Sequence, residues 1–134
     1  MTVETGIINL LLAASGVAAL VSDRVRYVEI SQRETLPAIA VTRISGGPEY
    51  AQDGDIGLQR VRIQVDCYAE RPTEAKNVGA AVVAALSGVV DTDSGGVTFK
   101  LIEIEDERDG SEGGSNTSEY RKSRQVDLDV WATF

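Results

Sequence analysis

Leu58-Gln59-Arg60-Val61-Arg62-Ile63-Gln64-Val65-Asp66-Cys67-Tyr68-Ala69-Glu70 alternates apolar and polar residues. Val61, Ile63, Val65 and Cys67 point one way, and Arg60, Arg62, Gln64, Asp66 and Tyr68 point the other. A period of two along a run of this length is the mark of a half-buried strand, because successive side chains leave opposite faces. One buried face and one polar face suit an antiparallel sheet covered on a single side. The residues that follow supply a cover. Pro72 and Thr73 open a helix that runs to near Ser87, with Gly88 as its stop. Ala75, Val78, Gly79, Val82 and Leu86 line its inner face, and the small residues among them permit close approach to a sheet.

Towards the C-terminus, Val97 to Glu107 reads as another long strand. Phe99 and Leu101 are out of phase with Ile102 and Ile104, which calls for a β-bulge. Arg108 to Ser118 is polar and glycine-rich and reads as a loop, and Glu119 to Thr133 as the last strand. In its second half Val126, Leu128 and Val130 share one face, and Gln125, Asp127, Asp129 and Trp131 the other.

Towards the N-terminus, Val3 to Ala14 is expected to be a helix, with Thr2 as its N-cap and Glu4 favourable in the first turn. Ile7, Leu11 and Ala14 mark its apolar face, and Gly16 suits a C-terminal cap. A short helical turn, Val17 to Val21, follows, then a short extended segment between Arg24 and Gln32. Pro37 forces Leu36 out of the helical region, so Ala38 to Ile44 reads as a strand. Ser45 to Gly57, with four glycines, a proline and three acids, reads as a loop.

The sum is an α+β fold in the order α-β-β-α-β-β, a mostly antiparallel sheet of about four main strands with two helices packed on one face. No repeat or linker divides residues 1–134, so a single domain is expected. The uncovered face would carry Arg60, Arg62, Gln64, Asp66, Asp127 and Asp129.

Composition excludes much chemistry. The chain is 43% hydrophobic and 25% charged, as globular domains are, and only 5% aromatic, so Val, Ile, Leu and Ala must fill the core. Its formal charge of -8 is the reverse of the basic stripe that phosphate recognition requires. There is no histidine, which removes Ser-His-Asp and Cys-His catalysis and the usual base at neutral pH. One cysteine, Cys67, allows neither an internal disulfide nor a zinc site of several thiolates. The apolar stretch Ile7 to Val21 is broken by Ser15 and Gly16 and is shorter than the roughly 20 residues of a membrane span. No basic residues precede it as in a signal peptide, so a buried helix in a protein that stays in the cell is expected.

The remaining candidates are weak as chemistry. Asp127 and Asp129, two apart on one strand, lie about 6.6–6.8 Å apart, a spacing that suits paired carboxylates. With Glu103 and Glu105 nearby they could suit Mg²⁺, but no accompanying motif supports either use, and a solvated or subunit-facing surface is the plainer reading. Asp91-Thr92-Asp93-Ser94-Gly95-Gly96 resembles the start of a calcium loop, yet Gly95 and Ile102 stand where ligands belong, so a plain turn is expected. Cys67 on the apolar side of its strand reads as a buried thiol. Phosphate-binding glycine loops are absent. No catalytic residue, metal site or cofactor is therefore expected. Trp131 falls on the polar face or at a sheet end, where it covers the core or anchors a subunit contact. Arg60 and Arg62 could pair with Asp127 and Asp129, across strands or between subunits.

The chain as a whole resembles the tail-completion, or tail-terminator, proteins of long-tailed bacteriophages and gene transfer agents. Four stretches in order carry the resemblance: Ile8-Asn9-Leu10-Leu11-Leu12-Ala13 with Val17-Ala18-Ala19-Leu20-Val21 and Arg24-Val25; Leu36-Pro37-Ala38-Ile39-Ala40-Val41; Val61-Arg62-Ile63-Gln64-Val65-Asp66-Cys67-Tyr68-Ala69 with the helix from Glu74-Ala75 to Ala85-Leu86; and Val126-Asp127-Leu128-Asp129-Val130-Trp131. The specificity lies in order and spacing, since the family has no catalytic signature. The resemblance implies a structural virion protein, assembled in the host cytoplasm, that closes into a homohexameric ring on the tail tube. Such a ring ends tube polymerisation and meets the head-tail connector or stopper protein. DNA passes through it without specific binding, and no membrane is involved. Arg60, Arg62, Asp66, Glu103, Asp127, Asp129 and Trp131 are then candidates for a subunit interface or the lumen. The alternatives are another neck or head-tail connector subunit, and a small cytosolic ligand-binding domain or enzyme that uses the acidic sheet face.

Overall fold

The structure, a computed structural model, describes residues 2–28, 35–52, 54–112 and 121–133. Among the described residues three helices, α1 (Val3–Ala13), α2 (Ser15–Val21) and α3 (Pro72–Leu86), accompany six strands: β1 (Val25–Tyr27), β2 (Ala38–Ala51), β3 (Gly54–Ala69), β4 (Val90–Ser94), β5 (Val97–Glu112) and β6 (Arg121–Thr133). The strands form one sheet in the order β1-β2-β3-β6-β5-β4. The short β1–β2 pair is parallel and the other pairs are antiparallel. The α+β class stands, but two helices and four strands become three and six.

The expected inner faces are the observed ones. Val61, Ile63, Val65 and Cys67 of β3, Val126, Leu128 and Val130 of β6, and Val78, Val82 and Leu86 of α3 are all buried in one cluster with Ile7 and Leu11 of α1. Full burial of an aliphatic side chain of this size contributes about 1.5–3 kcal/mol. The bulge expected in β5 falls between Phe99 and Leu101. It sets Phe99, buried, on the same face as Ile102 and turns Leu101 outward beside Trp131. The Phe99 ring reaches α1 at Gly6, where a Cβ would sit 2.6 Å from it.

At the N-terminus Thr2 caps α1, its hydroxyl accepting from the Thr5 N–H at 3.1 Å. Glu4 does more than complement the helix dipole: it is buried and pairs with Arg43 of β2, tying α1 to the sheet. Gly16 is not a C-cap. Helix α1 ends at Ala14, whose N–H reaches the Leu11 carbonyl, and Gly16 lies inside α2, which leaves α1 at 86°. No single described helix is long and apolar enough to cross a membrane.

One expected loop is largely strand, and the described part of another is strand as well. Most of residues 45–57 extends the β2–β3 hairpin, paired from Ser45 with Arg62 to Ala51 with Gly54. Its glycines and proline serve irregular edge pairing rather than a loop. Gly46 adopts φ +111 beside a bulge between Arg43 and Ser45, and Pro48 is tolerable because β1 covers β2 only as far as Val41. Likewise β5 continues past Arg108 to Glu112, opposite Arg121. The rest of that expected loop, residues 113–118, lies outside the described residues, as do residues 119–120 of the expected last strand and 29–32 of the extended segment. The expected turn at residues 91–96 is strand β4 followed by Gly95 and Gly96, both at positive φ, the requirement of a tight two-residue hairpin.

Candidate functional site

The helices cover one face of the sheet, and the opposite face carries all seven residues singled out above. Register explains why. Arg60 stands opposite Trp131, Arg62 opposite Asp129 and Gln64 opposite Asp127 on β3 and β6, while β5 sets Glu103 opposite Asp129 and Asp106 opposite Asp127. A second bulge in β5, between Ile104 and Asp106, changes the phase of that strand, so that Asp106 and Arg108 join the same face.

The charges on this face are knitted together within the chain. The Arg60 guanidinium donates to Asp129 Oδ2 at 3.1 Å and lies 5.0 Å from the centre of the Trp131 ring. Arg62 pairs with Glu105 and not with Asp129, which it faces. Arg108 pairs with Asp127, reaches Asp106 at 3.3 Å and donates to Gln64 Oε1 at 3.3 Å, and Gln64 in turn donates to Asp66 at 2.8 Å. These bonds raise the pKa of two arginines above the ordinary guanidinium value, Arg60 through Asp129 and Arg108 through Asp127. Arg108 was missed by the sequence reading, and Glu105 entered it only as a carboxylate near Asp127 and Asp129, not as the partner of Arg62. Arg108 sat in an expected loop, and a bulge of charged residues leaves no break in an apolar pattern to betray it.

Two acids of the uncovered face are buried within the isolated chain. Asp66 is 7% exposed and Asp129 4%. Burial leaves Asp129 Oδ1 without a hydrogen-bond partner among the described residues. An unsatisfied buried acceptor costs about 1–3 kcal/mol, so this oxygen is a local weakness in the isolated chain. Asp129 lines a groove of about 370 Å³ on the uncovered face, between the bulged stretch of β2 from Ser45 to Glu49 and the side chains of Arg60, Arg62 and Glu105, with Oδ1 buried beneath it. Ile44, the extra residue of the β2 bulge, lies beside this groove and is 55% exposed.

A second groove, of about 530 Å³, lies on the helix side at the start of α3. Lys76, Lys122, Arg124, Ser123 and Asp109 line it. Arg124 belongs to the inner face of β6, opposite Cys67, and its aliphatic part passes directly beneath Gly79, where a Cβ would stand 2.6 Å from Arg124 Cγ. Its guanidinium emerges to meet Asp109 at 2.8 Å and Glu107 at 3.7 Å. Hence Gly79 is small so that an arginine can lie between helix and sheet.

The arrangement holds most of the charges of this face in ion pairs. Asp127 and Asp129 are each held by an arginine, unlike a pair of carboxylates free to act as acid and base. Among the described residues no group of three or more His, Cys, Asp or Glu could hold a metal ion. Cys67 is fully buried, and burial first, then the charge of Asp66, pushes its thiol far above the ordinary range, which keeps it protonated and inert.

The polar sheet face is thus a lattice of ion pairs with one groove upon it, and a second, more basic groove lies on the helix side. The chain belongs to the family described as Tail completion protein gp17, whose pattern matches residues 5–121. It is accordingly a structural protein of phage-type tails, not an enzyme, and its place is the virion. Its fold is similar to that of a chain in a structure titled "Virion of native gene transfer agent (GTA) particle", with a TM-score of 0.73 and 15% identity over 97% of this chain and 94% of that chain. Comparison with curated proteins gives no match.

Proposed function

We propose that this protein closes the end of the tail tube as a ring of identical subunits, hexameric by its family resemblance, which ends tube growth and presents a surface to the head connector. The observation that carries this reading is the family match across most of the chain, joined to a fold whose uncovered face offers charge and shape for contacts. The partners of such a ring are the tail tube protein on one side and a connector or stopper on the other. An acidic chain of formal charge -8 suits a ring that DNA must slide through, because a basic collar would hold the phosphates. The seven candidates on the uncovered face serve subunit contacts in this reading, since most of their charge is already paired within the chain and little is left to line a bore.

The test is removal of the protein from cells that produce the particle. Heads and tails should then fail to join, and tail lengths should lose their narrow distribution in electron micrographs. Tails of normal length that fail to join heads would place the protein among the neck connectors instead. Normal length together with normal joining would overturn both readings.

A further inference from the structure

The two grooves differ in charge, lie on opposite layers of the domain and stand at different ends of β6, near Asp129 and near Ser123. The groove on the uncovered face brings Glu49, Glu105 and Asp129 together with Arg60 and Arg62, and Glu103 stands beside it in register with Asp129. The groove on the helix side sets Lys76, Lys122 and Arg124 against Asp109 alone. Lys76 is exposed on α3 and makes no ion pair or hydrogen bond with any described residue.

We propose that the groove around Glu105 and Asp129 receives the basic groove of a second copy of this chain, with Lys76 of that copy seated on Glu105. The inference rests on the ring reading above and names the contact that would build it. Opposite charge selects the partner surface and its register. Two different, complementary surfaces on one subunit make a head-to-tail contact, the kind from which a ring is built when the rotation between subunits closes, whereas a two-fold contact would need one surface to match itself. The unsatisfied oxygen of Asp129 is the independent sign that the groove is incomplete in the isolated chain. Arg62 faces Asp129 across the β3–β6 ladder yet is drawn aside by Glu105. When an incoming ammonium takes Glu105, Arg62 is released to turn to Asp129 Oδ1. The contact therefore satisfies a buried acceptor as well as forming a pair.

The test uses assembled particles. Lys76→Glu and Glu105→Lys should each lower the yield of joined particles at least tenfold, and the two together should restore most of it, because the swap rebuilds the pair in reverse. Both positions are solvent-accessible, and unchanged melting of the purified variants excludes misfolding. In a separate chain carrying Lys76→Cys and Glu105→Cys, a short bis-maleimide should link the subunits of the particle into a ladder that ends in a closed ring. Buried Cys67 stays out of this reaction. Joined particles at wild-type yield for both single variants, or a double variant no better than either, would overturn the contact. So would the absence of cross-links, or a ladder that stops at dimers. Failure of the ring reading itself registers elsewhere: cells lacking the chain would still make tails of normal length joined to heads.

Discussion

Gly46→Ala is the sharpest single probe of how the β2 bulge builds the groove on the uncovered face. The glycine adopts φ +111, a region that a residue with a Cβ occupies at a strain of about 1–3 kcal/mol. The added carbon would also lie 2.3 Å from the Arg60 carbonyl oxygen and 2.7 Å from Val61 Cα. Both are backbone atoms of the paired strand, so relief requires β2 and β3 to separate rather than a side chain to rotate. Crowding of this kind adds about 1–3 kcal/mol, for a total of about 2–6 kcal/mol. Domains of this size have about 5–15 kcal/mol to lose, so the variant should fold but melt roughly 6–24 °C lower. Gly47→Ala is the matched control: it has no positive φ, nothing within 4 Å of its added Cβ, and an expected change within about 0.5 kcal/mol. Urea unfolding of the two variants side by side, with m unchanged, measures the difference. Equal midpoints for Gly46→Ala and Gly47→Ala would refute the claim that the bulge is held by this glycine.

Two further outcomes follow from the helix side and the core. Gly79→Ala should cost about 1–2 kcal/mol, the crowding of Arg124 exceeding the helix preference of alanine, but in an Arg124→Ala background the same change should stabilise by about 0.5–1 kcal/mol; a double-mutant cycle by denaturation that shows no change of sign would separate Gly79 from Arg124. Cys67 should resist iodoacetamide in the native state at pH 8 and react fully in denaturant. Because burial raises its folded pKa, the folded thiol keeps its proton while the unfolded one loses it above about pH 8.5, so stability is intact below that value and falls above it by up to about 1.4 kcal/mol per pH unit. Cys67→Ala should remove this thiol-linked part of the alkaline slope, and an unchanged slope would assign all of it to other groups.

Much of the architecture was legible in residue order because burial imposes a period on each element. Alternation in β3 and β6 and the spacing of Ala75, Val78, Val82 and Leu86 in α3 identify inner faces directly, since a residue's face depends only on its position along its own element. The same alternation named the members of the uncovered face, and the phase break at Phe99 located a bulge. The absence of histidine and the lone cysteine bounded the chemistry without any coordinates. Composition misled where backbone pairing needs no apolar side chains. The glycine- and acid-rich residues 45–57, the β5 extension beyond Arg108 and the polar strand β4 lie at sheet edges or hairpin ends, where ladder hydrogen bonds suffice and no periodic pattern is required. Only the tertiary structure decided who faces whom. Alternation assigns Arg62 to a face but not to Glu105 in place of Asp129, because that choice depends on a bulge in a strand more than forty positions away. Nor could it show that Asp129 is buried with one oxygen unsatisfied, or that Gly79 stands clear for Arg124. Register and burial are properties of strands brought together from distant parts of the chain, and no local pattern encodes them.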